Sequence, residues 1–256
     1  MRARRASLGD SKAGMGTCKL CLKVRPLVEG HVLSEFLYAD LYDPDRHKFH
    51  EFHTDSTKRN VRRSSGYYER MMCDDCDNRI ISGYETYGAR VLNRGVELLE
   101  VNEDGCLVSR GVDYADFKLF QISLLWRSVI STRDEFRNIS VAPQDAERMR
   151  QMLFERDPGE PQEYGCVMLI PERYDQLKHA ILPPEYVRLD RHGGFRLLAG
   201  GFWWLYLVSD DGVFEHKEYF LSTEGTLRCV YEDRSNNFIN QLARDLVKNP
   251  TFPKCP

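Results

Sequence analysis

The stretch MMCDDCDN, residues 71–78, sets Cys73 and Cys76 two residues apart, and TCKLC, residues 17–21, does the same upstream with Cys18 and Cys21. Each pair can bring two sulfurs onto one tight turn. Two such turns supply four thiolates, the set that Zn2+ takes in a closed tetrahedral structural site. Residues 22–72, fifty-one in all, lie between the pairs, more than the ~15–20 of a simple zinc ribbon. The ion is therefore expected to tie together the base of an inserted unit. Two unrelated turns and an iron–sulfur cluster are the competing readings. A closed four-cysteine site leaves no coordination position free, so any chemistry has to come from what the metal holds in place.

The bulk numbers describe an ordinary folded chain. Of 256 residues 42% are hydrophobic and 11% aromatic, enough for a sizeable core, and the net charge is −3. Contact with nucleic acid would then need a local basic patch, because the overall charge does not favour it. The N-terminal segment MRARRASLGDSKAGMG lacks the apolar stretch of a signal peptide. The longest apolar run, LLAGGFWWLYLV at 197–208, has twelve residues and a Gly-Gly pair, too short for a bilayer-spanning helix. A cytoplasmic protein with no membrane segment is expected. In a reducing compartment paired cysteines point to metal more than to disulfides, and Cys106, Cys166, Cys229 and Cys255 read as buried or inert thiols.

The pattern along the chain predicts an α+β fold in three parts: a flexible basic arm over 1–16, a zinc-stapled unit over 17–93, and a helical plus antiparallel-sheet domain over 94–256. After the first knuckle, PLVEGHVLSEFLYADLY starts strand-like and turns helical after Ser34, a plausible cap. The charged stretch from Asp43 to Gly66 reads as a long loop or hairpin, and YYERMMC as a strand into the second knuckle. A helix should follow to about Asn93, with Ile81, Tyr84, Gly88 and Val91 on one stripe. GVELLEVNEDGCLVSRGV suggests a hairpin turning at EDG. Asp113 should cap a core helix over YADFKLFQISLLWRSVIS, and Pro143 should open another. YGCVMLIP, FRLLAGG, FWWLYLVS and GVFEHKEYFLS read as strands of an antiparallel sheet, with Trp203 and Trp204 in core or interface. SNNFINQLARDLVKN, 235–249, should close the chain as a helix.

Ten residues past Cys21 stands His31, in GHVLSE. Taken together, CKLC, GHVLSEFLY, MMCDDCDNRIISGYETYGARVLN and FKLFQISLLWR resemble the HNH endonuclease family, in particular a group of bacterial proteins so labelled, over roughly residues 17–170. The resemblance implies a β-β-α unit stapled by structural Zn2+. It also implies metal-dependent hydrolysis of DNA phosphodiester bonds, with His31 as general base. It further implies one catalytic Mg2+ or Mn2+ held by Asp77, with Asn78 and Glu85 as further candidates, and Glu35 orienting the imidazole or the ion. The chain departs from the family where Gly30 stands in place of an acidic residue or serine. The middle asparagine has no clear counterpart either, Asn60 being the one candidate.

KRNVRR, with Lys58, Arg59, Arg62 and Arg63 followed by Tyr67 and Tyr68, is the best nucleic-acid patch. Its cations could neutralise phosphates and its tyrosines could stack on bases. HKFHEFH spaces His47, His50 and His53 three apart, as a charged loop or a second metal site. Two functions from different classes follow: a DNA endonuclease, or a catalytically degenerate zinc module that binds nucleic acid or a protein partner. In the first, the C-terminal domain would select substrate or contact a protein partner.

Overall fold

The computed structural model describes residues 14–42, 48–51, 61–93, 100–101, 106–170, 181–189, 192–208 and 217–231. Apolar and β-branched residues after the first knuckle form β2, Val24–His31. It pairs antiparallel with β1, Met15–Thr17, on one side and with β5, Tyr68–Cys73, on the other. β1 corrects the expectation of a free arm up to residue 16: Met15 pairs with Pro26, and the Leu27 N–H donates to the Gly14 carbonyl at 3.1 Å. The rest of that arm, 1–13, lies outside the described residues.

A bulge in β2 between Val28 and Gly30 sets Gly30 opposite Glu69 and His31 opposite Tyr68. Between the paired strands, β3 (Phe49–Glu51) and β4 (Val61–Arg63) pair antiparallel, which favours the hairpin of the two readings of this stretch. His47, His53, Lys58, Arg59 and Asn60 lie outside the described residues, and His50 and Arg62 are described only as a paired strand position. The segment after Ser34 is a 3-10 helix over Glu35–Leu41.

The helix after the second knuckle begins wide, with π-type bonding over Cys76–Ile81, and continues as α1, Ser82–Asn93. The expected stripe is there: Ile81, Tyr84 and Val91 are buried, and Gly88 lies against the ring of Phe120. Phe120 belongs to α2, Tyr114–Ile130, which Asp113 caps by accepting from the Asp116 N–H at 2.9 Å. Every α2 residue from Phe117 to Ser128 is buried, as an all-round apolar pattern demands. α3, Pro143–Glu155, starts at its proline. No helix among the described residues is long and apolar enough to cross a membrane.

Among the described residues seven strands form the large sheet: β6 (Glu100–Val101), β7 (Cys106–Ser109), β8 (Cys166–Ile170), β9 (Leu182–Leu189), β10 (His192–Ala199), β11 (Phe202–Leu207) and β12 (Leu227–Tyr231). Their order is β6-β7-β12-β8-β11-β10-β9. The sheet is mixed and not wholly antiparallel, because β12 enters between β7 and β8 and runs parallel to β8. GVFEHKEYFLS is corrected too: its described part is a 3-10 turn over Lys217–Tyr219 that leads into buried Phe220, which fills the space beside Gly165. β9 escapes a sequence reading because it carries Pro183 and Pro184, tolerated on an edge strand.

Trp203 and Trp204 are both core, on opposite faces of the sheet. Trp204 joins the cluster around α2, and Trp203 joins Val167, Leu169, Leu198 and Leu205 on the far side. The α2 cluster also runs without a break from the cysteine knuckles to Cys229. Cys166 and Cys229 are buried, as expected. The proposed closing helix at 235–249 and Cys255 lie outside the described residues.

Gly88 gives a test of this packing. Alanine would favour the helix by about 1 kcal/mol. Its Cβ, however, would fall 2.5 Å from a carbon of the Phe120 ring, which is fully buried, and overpacking of this kind costs about 1–3 kcal/mol. Gly88→Ala should therefore lower the urea midpoint. A raised midpoint would show that α1 and α2 can separate freely.

Candidate metal centre and the histidine beside it

The first knuckle closes because Leu22 takes a left-handed conformation (φ 61°). The Cys18 N–H then donates to the Lys23 carbonyl at 3.0 Å, and the Leu22 N–H to the Cys18 carbonyl at 2.9 Å. The Lys19 N–H reaches the Met71 carbonyl at 2.9 Å, which fastens the knuckle to β5. From α3, Arg150 donates to the Leu20 carbonyl at 2.7 Å.

The sulfurs of Cys18, Cys21, Cys73 and Cys76 all lie within 4.8 Å of one another, and three of the four residues are buried. Cys21 and Cys73 are 3.9 Å apart, sulfur to sulfur, close to the about 3.8 Å edge of a tetrahedron with Zn–S bonds of about 2.3 Å. The Cys73 N–H points at the Cys18 sulfur at 3.4 Å, a contact that suits a thiolate. Burial first, and then hydrogen bonding with Cys18 and Cys73, holds the Cys76 thiol far above its usual range. A cation at the centre would offset the mutual repulsion of four thiolates. The donor set thus fits a structural metal such as zinc. Among the described residues it is the one such cluster.

His31 ends β2. Its ring packs on the Tyr68 ring across the strand pair, centroid to centroid 4.1 Å. Its Nε2 is buried without a hydrogen-bond partner, and Glu35 Oε2 stands 3.8 Å away. Burial, as the largest cause, lowers the imidazole pKa; Glu35 and Glu85 oppose it and Arg127 adds to it. The ring is therefore a neutral base at neutral pH.

The three candidate ion ligands part ways. Asp77 sits one residue past Cys76, on the first turn of the helix, with its carboxylate over Gly30. A Cβ added there would meet Asp77 Oδ1 at 2.5 Å. No protein donor reaches that carboxylate among the described residues, and burial, chiefly, raises its pKa. Glu85 is engaged: Oε1 accepts from Ser34 Oγ at 2.7 Å and from Arg127 Nη1 at 2.7 Å. Asn78 is exposed and donates its amide to Asp74 at 2.7 Å. Of the three, Asp77 has no protein donor at its carboxylate among the described residues, whereas Glu85 and Asn78 are turned to other partners.

Of the basic patch, the Arg63 side chain is the one described. Arg63 donates to Glu135 at 2.5 Å and lies over the Tyr67 ring at 5.1 Å. Tyr67 is fully buried, which corrects its assignment as a base-stacking platform, and Tyr68 stacks on His31 instead. Sequence reading missed Arg127 and Glu69 altogether. Arg127 is a cation in the last turn of an apolar helix, and that was its one visible signal. Glu69 accepts from Ser131 Oγ at 2.6 Å and Thr132 Oγ1 at 2.7 Å, fixing β5 to the end of α2. Comparison of the chain with family models, with curated proteins and with solved structures gives no match.

Two outcomes follow from this geometry. The purified chain should carry one zinc per chain by elemental analysis, and Cys76→Ser should lose it together with the cooperative melting of the knuckle region. Structural zinc binding contributes about 10–16 kcal/mol in small modules, so a full zinc complement in Cys76→Ser would rule out the shared centre. The second outcome concerns pH. The folded pKa of His31 lies below its ordinary value of about 6.5, so the unfolded chain binds more protons there. Its contribution to stability is present above about pH 6.5 and is lost as pH falls toward the folded pKa, with a slope of at most about 1.4 kcal/mol per pH unit. His31→Gln should flatten the fall in urea midpoint between pH 7.5 and 5.5 relative to the parent, and identical profiles would contradict the burial.

Proposed function

We propose that this chain is a zinc-stapled hydrolase of the HNH endonuclease type, cutting phosphodiester bonds of DNA with His31 as general base. One observation carries the reading. An unpartnered imidazole nitrogen stands at the end of a strand whose other end is tied, through four sulfurs, to a helix that opens with an unpartnered carboxylate.

The residues have distinct tasks in it. Nε2 of His31, closed to solvent here, would have to be uncovered to accept the proton of an attacking water. The Tyr68 ring, packed against the imidazole, limits its rotation. Glu35, 3.8 Å from Nε2 and exposed, stabilises the imidazolium once it forms. Asp77 would hold Mg2+ or Mn2+, which when bound supplies positive charge against the phosphate oxygens. Arg127 keeps Glu85 neutralised and out of the reaction.

A second reading has its own support. Gly30 brings no ligand and Glu85 is already paired, which suits a module that binds nucleic acid or a protein partner and does not cut. Supercoiled plasmid incubated with the zinc-loaded chain and Mg2+ or Mn2+, beside His31→Ala, separates the two. The hydrolytic reading expects nicking that falls about 100-fold or more in the variant. Retention of plasmid without nicking would assign the binding role, and equal traces from both proteins would remove the hydrolytic one.

A further inference from the structure

α2 carries two buried cations that do different things. Lys118 Nζ donates to the carbonyls of Pro161 and Tyr164 at 3.1 and 3.2 Å, tying the helix to the loop before β8. Arg127, nine residues on and equally buried, turns both terminal nitrogens of its guanidinium toward the strand end that carries His31. Nε donates to the Ser123 carbonyl at 3.2 Å within its own helix. Nη1 donates to the His31 carbonyl at 2.8 Å and to Glu85 Oε1 at 2.7 Å. Nη2 donates to Ser34 Oγ at 3.1 Å, and that hydroxyl in turn donates to Glu85 Oε1 at 2.7 Å. Every nitrogen of the fork is engaged.

The geometry is that of a clamp. Residues 31 and 34 bracket the turn at which β2 gives way to the short helix bearing Glu35. One guanidinium grips both, by a backbone carbonyl and a side-chain hydroxyl. The distance from His31 Nε2 to Glu35 across this turn therefore depends on a group 96 positions away in sequence. Only a planar fork spans the carbonyl, the carboxylate and the hydroxyl together; a lysine ammonium carries the charge but cannot span that width. Glu85 supplies the counter-charge without which so buried a cation would be costly.

We propose that Arg127 is the positioning residue of this site, fixing the backbone at His31 and Ser34 and so the orientation of the His31 imidazole. The proposal rests on the hydrolytic reading only where activity is measured. Its test uses the full zinc-loaded chain labelled in histidine, with the His31 imidazole signals identified by their absence in His31→Gln.

Arg127→Lys, which keeps the charge, should retain one zinc and a cooperative melt yet shift the His31 imidazole signals. If the parent nicks plasmid, kcat should fall at least tenfold with KM within twofold. Should Arg127→Lys fail to fold, the double variant Arg127→Met with Glu85→Gln removes both charges together and carries the test, again with moved His31 signals expected. His31 signals that coincide with the parent in whichever of these folds would overturn the proposal. A parent that never nicks removes the hydrolytic reading alone, because the imidazole signals answer the positioning question without it.

Discussion

Four sulfurs gathered within 4.8 Å, three of them on buried residues, form the constraint on which the rest of this structure hangs. Neutral thiols gain little from such crowding, and thiolates there would repel one another unless a cation sat among them. Closing a fifty-one-residue gap costs loop entropy that grows slowly with length, so one centre can hold the base of a long insertion. The consequence is a register. With Cys73 opposite Leu27 at the end of the β2–β5 pair, the strand bulge carries Gly30 to Glu69 and His31 to Tyr68. Cys76, three residues on, opens the helix whose next residue is Asp77.

The opposite end of the same strand pair is held by protein alone. Arg127 grips the His31 carbonyl, Arg133 donates to the Tyr68 carbonyl at 3.0 Å, and Ser131 and Thr132 donate to Glu69. All four residues lie at or just past the C-terminal turn of α2, the helix that also packs Phe120 against Trp204 of the sheet. The strand pair is thus pinned at one end by the cysteine centre and at the other by α2. His31 sits at the second pin, where its ring environment is set by Tyr68, Glu35, Glu85 and Arg127.

Much of this was legible in the sequence where chemistry is local. The spacing of Cys18, Cys21, Cys73 and Cys76 announced a shared centre because two-residue spacing is a property of single turns. Asp113 and Pro143 announced helix starts for the same reason, and the stripe of Ile81, Tyr84, Gly88 and Val91 gave the buried face of α1. What stayed hidden was non-local. Glu85 looked like a free carboxylate on a polar face, since its neutralising partner is 42 positions away. Tyr67 looked like a surface aromatic because it follows a charged run, yet it is packed between Tyr38 and Phe136. Strand β9 was masked by its prolines, and the parallel placement of β12 beside β8 depends on a sheet order that no short window of sequence contains. The HNH resemblance rests on motif pieces, and no comparison with known proteins adds to it.

Electrostatics decides what the two functional readings have in common. The charges that act on His31 are the carboxylates of Glu35 and Glu85 and one guanidinium, Arg127, whose charge Glu85 already balances. One carboxylate, Glu35, remains over. A phosphodiester brought to Nε2 would meet its repulsion, about 1 kcal/mol at 4 Å in water and about 4 kcal/mol at the lower effective dielectric near a protein surface. Arg63, the described side chain of the basic run, is bound to Glu135 and does not offset this. Cutting at His31 and delivery of a cation with the phosphate are therefore one requirement. On the hydrolytic reading that cation is Mg2+ or Mn2+, and Mg2+ keeps several waters and takes ligands from phosphate. A purely binding role escapes the requirement, but only by seating the nucleic acid or partner on a different surface. The position of a bound strand relative to His31 is thus the physical distinction between the two.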